Sequence, residues 1–125
     1  MPTNLKTPGV YIEEKNDFLN SEVAIETSIK ESLILAARAY VFEPNNVVTW
    51  VTVKSVLRIF LTNLWKQGVL AGSSPEDAFD VQVGLGTTMT PNDILDGIMR
   101  ITVKVAIVHP AEFTMLTFQQ QMQQS

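Results

Sequence analysis

The side chains best suited to chemistry are almost missing from this chain of 125 residues, which has one histidine and no cysteine. His109 stands directly before Pro110. Without a thiolate or a second imidazole, the usual nitrogen and sulfur ligands of a zinc centre cannot be assembled. No nucleophile lies nearby in sequence for His109 to activate, so it reads as a loop histidine at a strand end. Gly84-Leu85-Gly86-Thr87-Thr88 superficially matches a phosphate loop. It lacks the Lys-Ser/Thr ending, and the helix that would aim backbone amides at an anion, so a turn is expected. Glu76-Asp77 and the pair Asp93 and Asp96 could in principle exchange protons. Each sits in a helix first turn or cap, where acids are favoured by the helix dipole. The sequence therefore predicts no catalytic, cofactor-binding or metal-binding residues, and no enzyme.

The one basic feature with a direction is Lys54 and Arg58, one helical turn apart, with Val51 and Trp65 beside them. A solvated helix face accounts for such a pair, and so does an electrostatic contact with an acidic partner.

The elements that must position these residues follow from periodicity. Val10-Tyr11-Ile12 is strand-like after the turn signal Pro8-Gly9. Glu13 to Ser21 is polar and reads as a flexible linker, with Ser21 as N-cap of a first helix. Ile25, Ile29 and Leu33 mark one face of that helix through about Arg38. Pro44 ends the run Tyr40-Val41-Phe42, and Asn45-Asn46 can cap a second helix over 47–67. Trp50, Val53, Leu57, Phe60, Leu61 and Leu64 form its apolar arc, and Gly68 follows its end.

Beyond it, Phe79–Val83 alternates as a half-buried strand, and Thr90-Pro91 opens a short capped turn stopped by Gly97. Ile98–Val108 is the longest strand, broken by His109-Pro110. Phe113–Phe118 is a final strand, and the glutamine-rich residues 120–125 read as disordered. The fold class is α+β: two main helices packed on a small mixed sheet, with extended N- and C-terminal strand arms. The expected divisions are 1–21 for the first arm and linker, 22–112 for the core and 113–125 for the second arm.

The two terminal strands have no obvious partner in the sequence, and unpaired strand edges are templates for other chains. Val10, Tyr11, Ile12, Phe113, Met115, Leu116 and Phe118 are therefore the candidate inter-subunit residues. The formal charge of −4, with no Lys/Arg cluster, provides no footprint for nucleic acid. The apolar runs are broken by polar residues, so no membrane insertion is expected. The N-terminus has no apolar segment of the signal-peptide kind, and the lack of cysteine fits assembly in a reducing cytoplasm.

Several segments, in order, resemble the tail sheath proteins of contractile phages and contractile injection systems. They are Lys6–Glu14, Ile25–Lys30, Val41–Asn46, Phe60–Gly68, Leu70–Gly72, Pro75–Phe79, Thr88–Thr90 and Pro110–Phe113. The resemblance implies a helical homo-oligomeric sheath around a tail tube, in a virion tail or injection-system particle, meeting baseplate or cap proteins. It implies one strand, Val10–Ile12, donated to one neighbour and a second, Phe113–Phe118, to another. The acceptors would be strands among Phe79–Val83 and Ile98–Val108, with Asn16–Ser21 as hinge. It also makes Lys54 and Arg58 candidates for the tube contact.

Family members usually carry large outer domains between the N-terminal strand and the first helix, whereas ten residues separate Glu14 from Ile25 here. A short sheath form is expected, contractile or not. A cap, collar or non-contractile filament protein is the structural alternative, and a small ligand-binding α/β domain the non-structural one.

Overall fold

The structure, a computed structural model, describes the backbone of residues 14–108 and 112–122, and the side chains of 22–108 and 112–122. Val10–Ile12, His109 and residues 123–125 lie outside the described residues. The first element is a single helix, α1 (Glu14–Arg38). The linker expected up to Ser21, and the N-cap expected at Ser21, are both replaced by helix. No glycine or proline interrupts 14–38, and Glu and Lys are good helix formers, so polarity alone was a poor sign of a break. Ile29, Leu33 and Ala37 are buried along one face, with Ile25 packed against the core. This is the four-residue spacing that puts side chains on one stripe.

A turn over Tyr40–Pro44 leads to α2 (Val47–Lys66). Asn46, in extended geometry, caps it by accepting a hydrogen bond from the Thr49 amide at 3.3 Å. At the other end, the Val69 amide donates to the Leu64 carbonyl and the Gly68 amide to the Trp65 carbonyl, both at 3.0 Å. That pair of bonds is a Schellman closure, and it needs the positive φ of 84° that Gly68 supplies. Trp50, Val53, Leu57 and Leu61 are buried, with Phe60 and Leu64 packed beside them, as the apolar arc predicts. By length and composition α2 is also apolar enough to cross a membrane, contrary to the reading of the broken runs. Its inner face packs on the sheet and carries much of the core, which accounts for that hydropathy.

Two short helices follow, α3 (Pro75–Ala78) and α4 (Pro91–Leu95), around β1 (Phe79–Gln82). Then come β2 (Ile98–Val105) and β3 (Thr114–Gln121). The three strands form one sheet in the order β1-β2-β3, with both pairings antiparallel. The sheet is therefore not mixed as expected. Phe79, Val81, Met99, Ile101, Val103, Val105, Leu116 and Phe118 face the helices and are buried. Asp80, Gln82, Arg100, Thr102, Lys104, Thr117 and Gln119 take the alternate positions on the other face, as a period of two requires.

The last strand gives the largest departure from expectation. Phe113–Phe118 has no obvious partner in the sequence, yet β3 pairs with β2 along its whole length, from Thr114 opposite Val105 to Gln121 opposite Ile98. Residues 119–122 are likewise ordered rather than frayed. Gln120 Nε2 donates to the Ala37 carbonyl at 2.7 Å, the Met122 amide donates to the Gly97 carbonyl at 2.6 Å, and Met122 is buried. Glutamine-rich composition did not predict order here, because the backbone ladder and α1 provide partners that composition does not report.

Asn45 ties the two layers together. Its Oδ1 accepts from Trp50 Nε1 at 2.7 Å, and its Nδ2 donates to the Ile98 carbonyl at 2.9 Å. Asn45→Ala should therefore lower stability by roughly 1–3 kcal/mol, since it leaves an indole N–H and a strand carbonyl in need of partners. Urea denaturation checks this, with Asn46→Ala, the loss of an N-cap, as a milder comparison at about 1 kcal/mol.

Candidate assembly surfaces

The chemistry-bearing residues singled out in the sequence settle into structural roles. The Gly84–Thr88 loop closes on itself: the amides of Thr87, Thr88 and Met89 all donate to the Gly84 carbonyl. The Gly84 amide donates to Thr88 Oγ1, which in turn donates to the Arg100 carbonyl at 2.7 Å. Those amides point inward to a turn and do not form a cradle for an anion. Among the described residues, no group of three or more His, Asp or Glu side chains could hold a metal ion.

Asp93 forms a reciprocal capping box with Thr90 at the start of α4, and pairs with Arg100 of β2 at 3.1 Å. Arg100 also donates to Gln119 Oε1, so one guanidinium joins α4, β2 and β3. The hydrogen bond from Arg100, helped by the Thr90 amide, lowers the Asp93 carboxyl from 3.8 to about 2. A depressed carboxylate pKa means the linkage favours the fold above the ordinary value and is lost as pH falls toward about 2. Asp93→Asn should accordingly flatten the fall in denaturation midpoint between pH 4 and pH 2, while changing it little between pH 5 and pH 7.

Lys54 and Arg58 are both half-buried. Arg58 lies with its guanidinium carbon 5.3 Å from the centroid of the Phe79 ring, a cation–π contact that turns it toward β1. The pair therefore flanks the outer face of α2 rather than forming its centre. That centre is Val48, Val51, Thr52, Ser55 and Ile59, all exposed and uncharged.

The sheet offers two open edges among the described residues, because β1 and β3 each have one strand neighbour. The bond from the Met122 amide to Gly97, continued down a ladder without a bulge, turns the backbones of Thr114, Leu116, Phe118 and Gln120 toward β2. The alternate residues Met115, Thr117, Gln119 and Gln121 then face the open edge. By the same alternation, with the Ala106 amide bonded to the Ala78 carbonyl, the β1 edge offers Phe79 and Val81. Beside the β3 edge, Ile34, Arg38 and Val41 line a cavity of about 550 Å³ with Phe118 and the following three glutamines. No sequence signal marked this groove, since its walls come from a helix and a strand some 80 residues apart.

Comparison with known proteins gives this small two-layer core, with its two open strand edges, a family. The family model described as phage tail sheath C-terminal domain matches residues 13–121. The chain belongs to the phage tail sheath C-terminal domain family. Solved structures agree. A chain of the anti-feeding prophage baseplate, 6-fold symmetrised, matches at 45% identity and a TM-score of 0.59, covering 79% of this chain and 26% of its own. A chain of an extracellular contractile injection system, the PVC sheath complex in the contracted state, matches at 46% identity and a TM-score of 0.56, over 77% and 26%. The anti-feeding prophage baseplate in the contracted state contributes a third, at 37% identity and a TM-score of 0.64, over 73% and 24%. This sheath-domain chain thus spans about a quarter of the length of the chains it matches. No curated protein sequence matches it.

Proposed function

We propose that this chain is a structural subunit of a contractile-type particle, a short sheath protein that polymerises around a tail tube. The observation that carries the reading is the family match over residues 13–121, on a core whose sheet has two open edges. Val10, Tyr11 and Ile12 are the strand given to one neighbour. Phe113, with Met115, Leu116 and Phe118 of β3, belongs to the segment given to another: the β2–β3 pairing made within one chain is remade between two. Assembly takes place in the bacterial cytoplasm, and baseplate or cap proteins terminate the polymer. Electron microscopy of the purified protein tests the reading: long helical tubes are expected, and a monodisperse monomer at high concentration would sink it.

A sheath-like ring at the baseplate is the second reading, favoured by the fact that two of the matching structures are baseplates. Closed rings in place of tubes would select it. Lys54 and Arg58 remain the charged contribution to a tube contact, at the margin of the apolar ridge of α2. Reversal of both charges should weaken co-sedimentation with tube protein by about 5–25-fold, the equivalent of roughly 1 kcal/mol for each exposed charge contact. Unchanged binding would remove them from the interface.

A further inference from the structure

The last three residues of β3 are successive glutamines, and each is bound to a different part of the fold. Alternation along a strand sends Gln119 and Gln121 to the helix-free face of the sheet and Gln120 to the helix side. Gln119 accepts from Arg100 of β2, Gln120 donates to the Ala37 carbonyl near the end of α1, and Gln121 Nε2 donates to the Asp96 carbonyl just after α4 at 2.8 Å. Met122 adds its amide bond to Gly97 and a buried side chain. We propose that Gln119–Met122 is a latch that holds β3 shut in its own chain and thereby keeps a lone subunit from assembling. The effect on assembly rests on the exchange of β3 proposed above, whereas the latch itself stands without it.

The two ends of β3 are unequally fastened. Among the described residues, its first half has one bond to another element outside the ladder, from Thr114 Oγ1 to Glu26 at 3.2 Å, and one buried side chain, Leu116. Its second half, with Met122, has four such bonds, which reach β2, α1 and the turn after α4. Phe118 and Met122 are buried there as well. Chain ends ordinarily fray first. Here the end nearer the C-terminus is the fastened one, so β3 opens from Thr114 toward Gln121.

That order of opening restrains exchange. A strand opened at Thr114 is still tied at Gln121 and returns to the same β2, so only release of the latch frees it. One pairing within the chain hides both halves of an exchange joint: the strand that is given and the β2 edge that it leaves. β2 and β3 are consecutive strands, so β3 competes for that edge at an effective concentration on the order of millimolar, above that of subunits in dilute solution. Glutamine suits the task, because its carboxamide both donates and accepts without charge. The bonds of Gln120 and Gln121 go to main-chain carbonyls, which do not titrate.

Amide exchange followed by nuclear magnetic resonance tests the latch in the full-length protein, diluted until sedimentation shows a monomer. The backbone amides of Leu116 and Gln120 both face β2, and that of Leu116 should exchange about 10-fold faster than those of Gln120 and Met122. The triple variant Gln119→Met, Gln120→Met, Gln121→Met keeps side-chain length and removes the carboxamides. It should speed exchange at Gln120 and Met122 by about 10–100-fold. Thr102 and Lys104, whose amides face β1, should keep their rates. Should the triple variant fail to fold, the single variant Gln121→Ala is read in the same way, with an expected acceleration of about 3–10-fold. Equal exchange along β3 in the unaltered chain, or no acceleration in the variants, would overturn the latch. At concentrations that give particles, the folded variant should assemble with a lag about 10-fold shorter, in keeping with its faster opening. Faster opening with an unchanged lag would overturn the restraint on assembly. Particles from neither chain at any concentration would overturn the sheath reading, while the exchange pattern would still decide the latch.

Discussion

A chain lacking residues 1–13 should stay folded and monomeric at concentrations where the full-length protein forms particles. The physical basis is a separation between what stabilises the core and what joins subunits. Among the described residues the buried core runs from Ile29 to Met122, and the truncation leaves all of them in place. It does remove Val10–Ile12, and with them the main-chain hydrogen bonds that the proposed strand donation requires. Each such bond contributes only about 0.5–1.5 kcal/mol, but assembly needs several at every joint, and the effect multiplies along a polymer. Far-ultraviolet circular dichroism should be close to that of the full chain, sedimentation should show one slow species, and micrographs should be empty. Ordinary tubes or rings from the truncated chain would rule out N-terminal strand donation, whatever edge accepts it.

Phe79→Ala should have the largest effect on the fold itself. Phe79 is only 2% exposed, and it opens β1 beneath α2 at the point where the sheet and the long helix meet. Truncating a buried phenylalanine typically costs about 3–5 kcal/mol, from lost transfer energy and the cavity left behind. Here the Arg58 guanidinium also loses the ring it lies over, a further contribution of about 0.5–1 kcal/mol. Domains of this kind are stable by only about 5–15 kcal/mol, so the variant should be partly unfolded at 37 °C. Urea denaturation should show a lower midpoint at an unchanged slope. Ile59→Ala, on the exposed ridge of the same helix, should move the midpoint by less than about 0.5 kcal/mol. Comparable losses for the two would mean that α2 is packed on a different face.

Phe79 and Ile59 also show which parts of the molecule could be read in advance. Burial in α2 followed from spacing: Trp50, Val53, Leu57 and Leu61 recur on one arc, and a helix has only one way to put them together. Its ends were legible for the same local reason, since Asn46 and Gly68 each satisfy backbone groups a few residues away. The capping box of Thr90 and Asp93 belongs to this class, and Thr90 and Gly97 mark the bounds of α4 as expected. The polar residues of Glu14–Ser21 suit both a linker and a helix, and only continuity with Ile25–Ala37 distinguishes them.

The surfaces were harder to read. Arg58 suits a solvated helix face by its spacing, whereas its guanidinium lies over the ring of Phe79, 21 residues later. The terminal strand looked unpartnered, because strand pairing is a long-range choice that alternation does not encode.

The scarcity of chemistry-bearing residues is plain from composition: one histidine, no cysteine, and acids that fall in helix caps. By itself the sequence determined the elements, their inward faces, their caps and a family whose members assemble. These depend on contacts within about one turn of helix, or on alternation within one strand. Only the tertiary structure decided that β3 closes the sheet in its own chain and that its outer edge lies over a groove walled by Ile34, Arg38 and Val41. That groove exists because α1 packs alongside a strand some 80 residues away, and no local rule carries a contact of that separation.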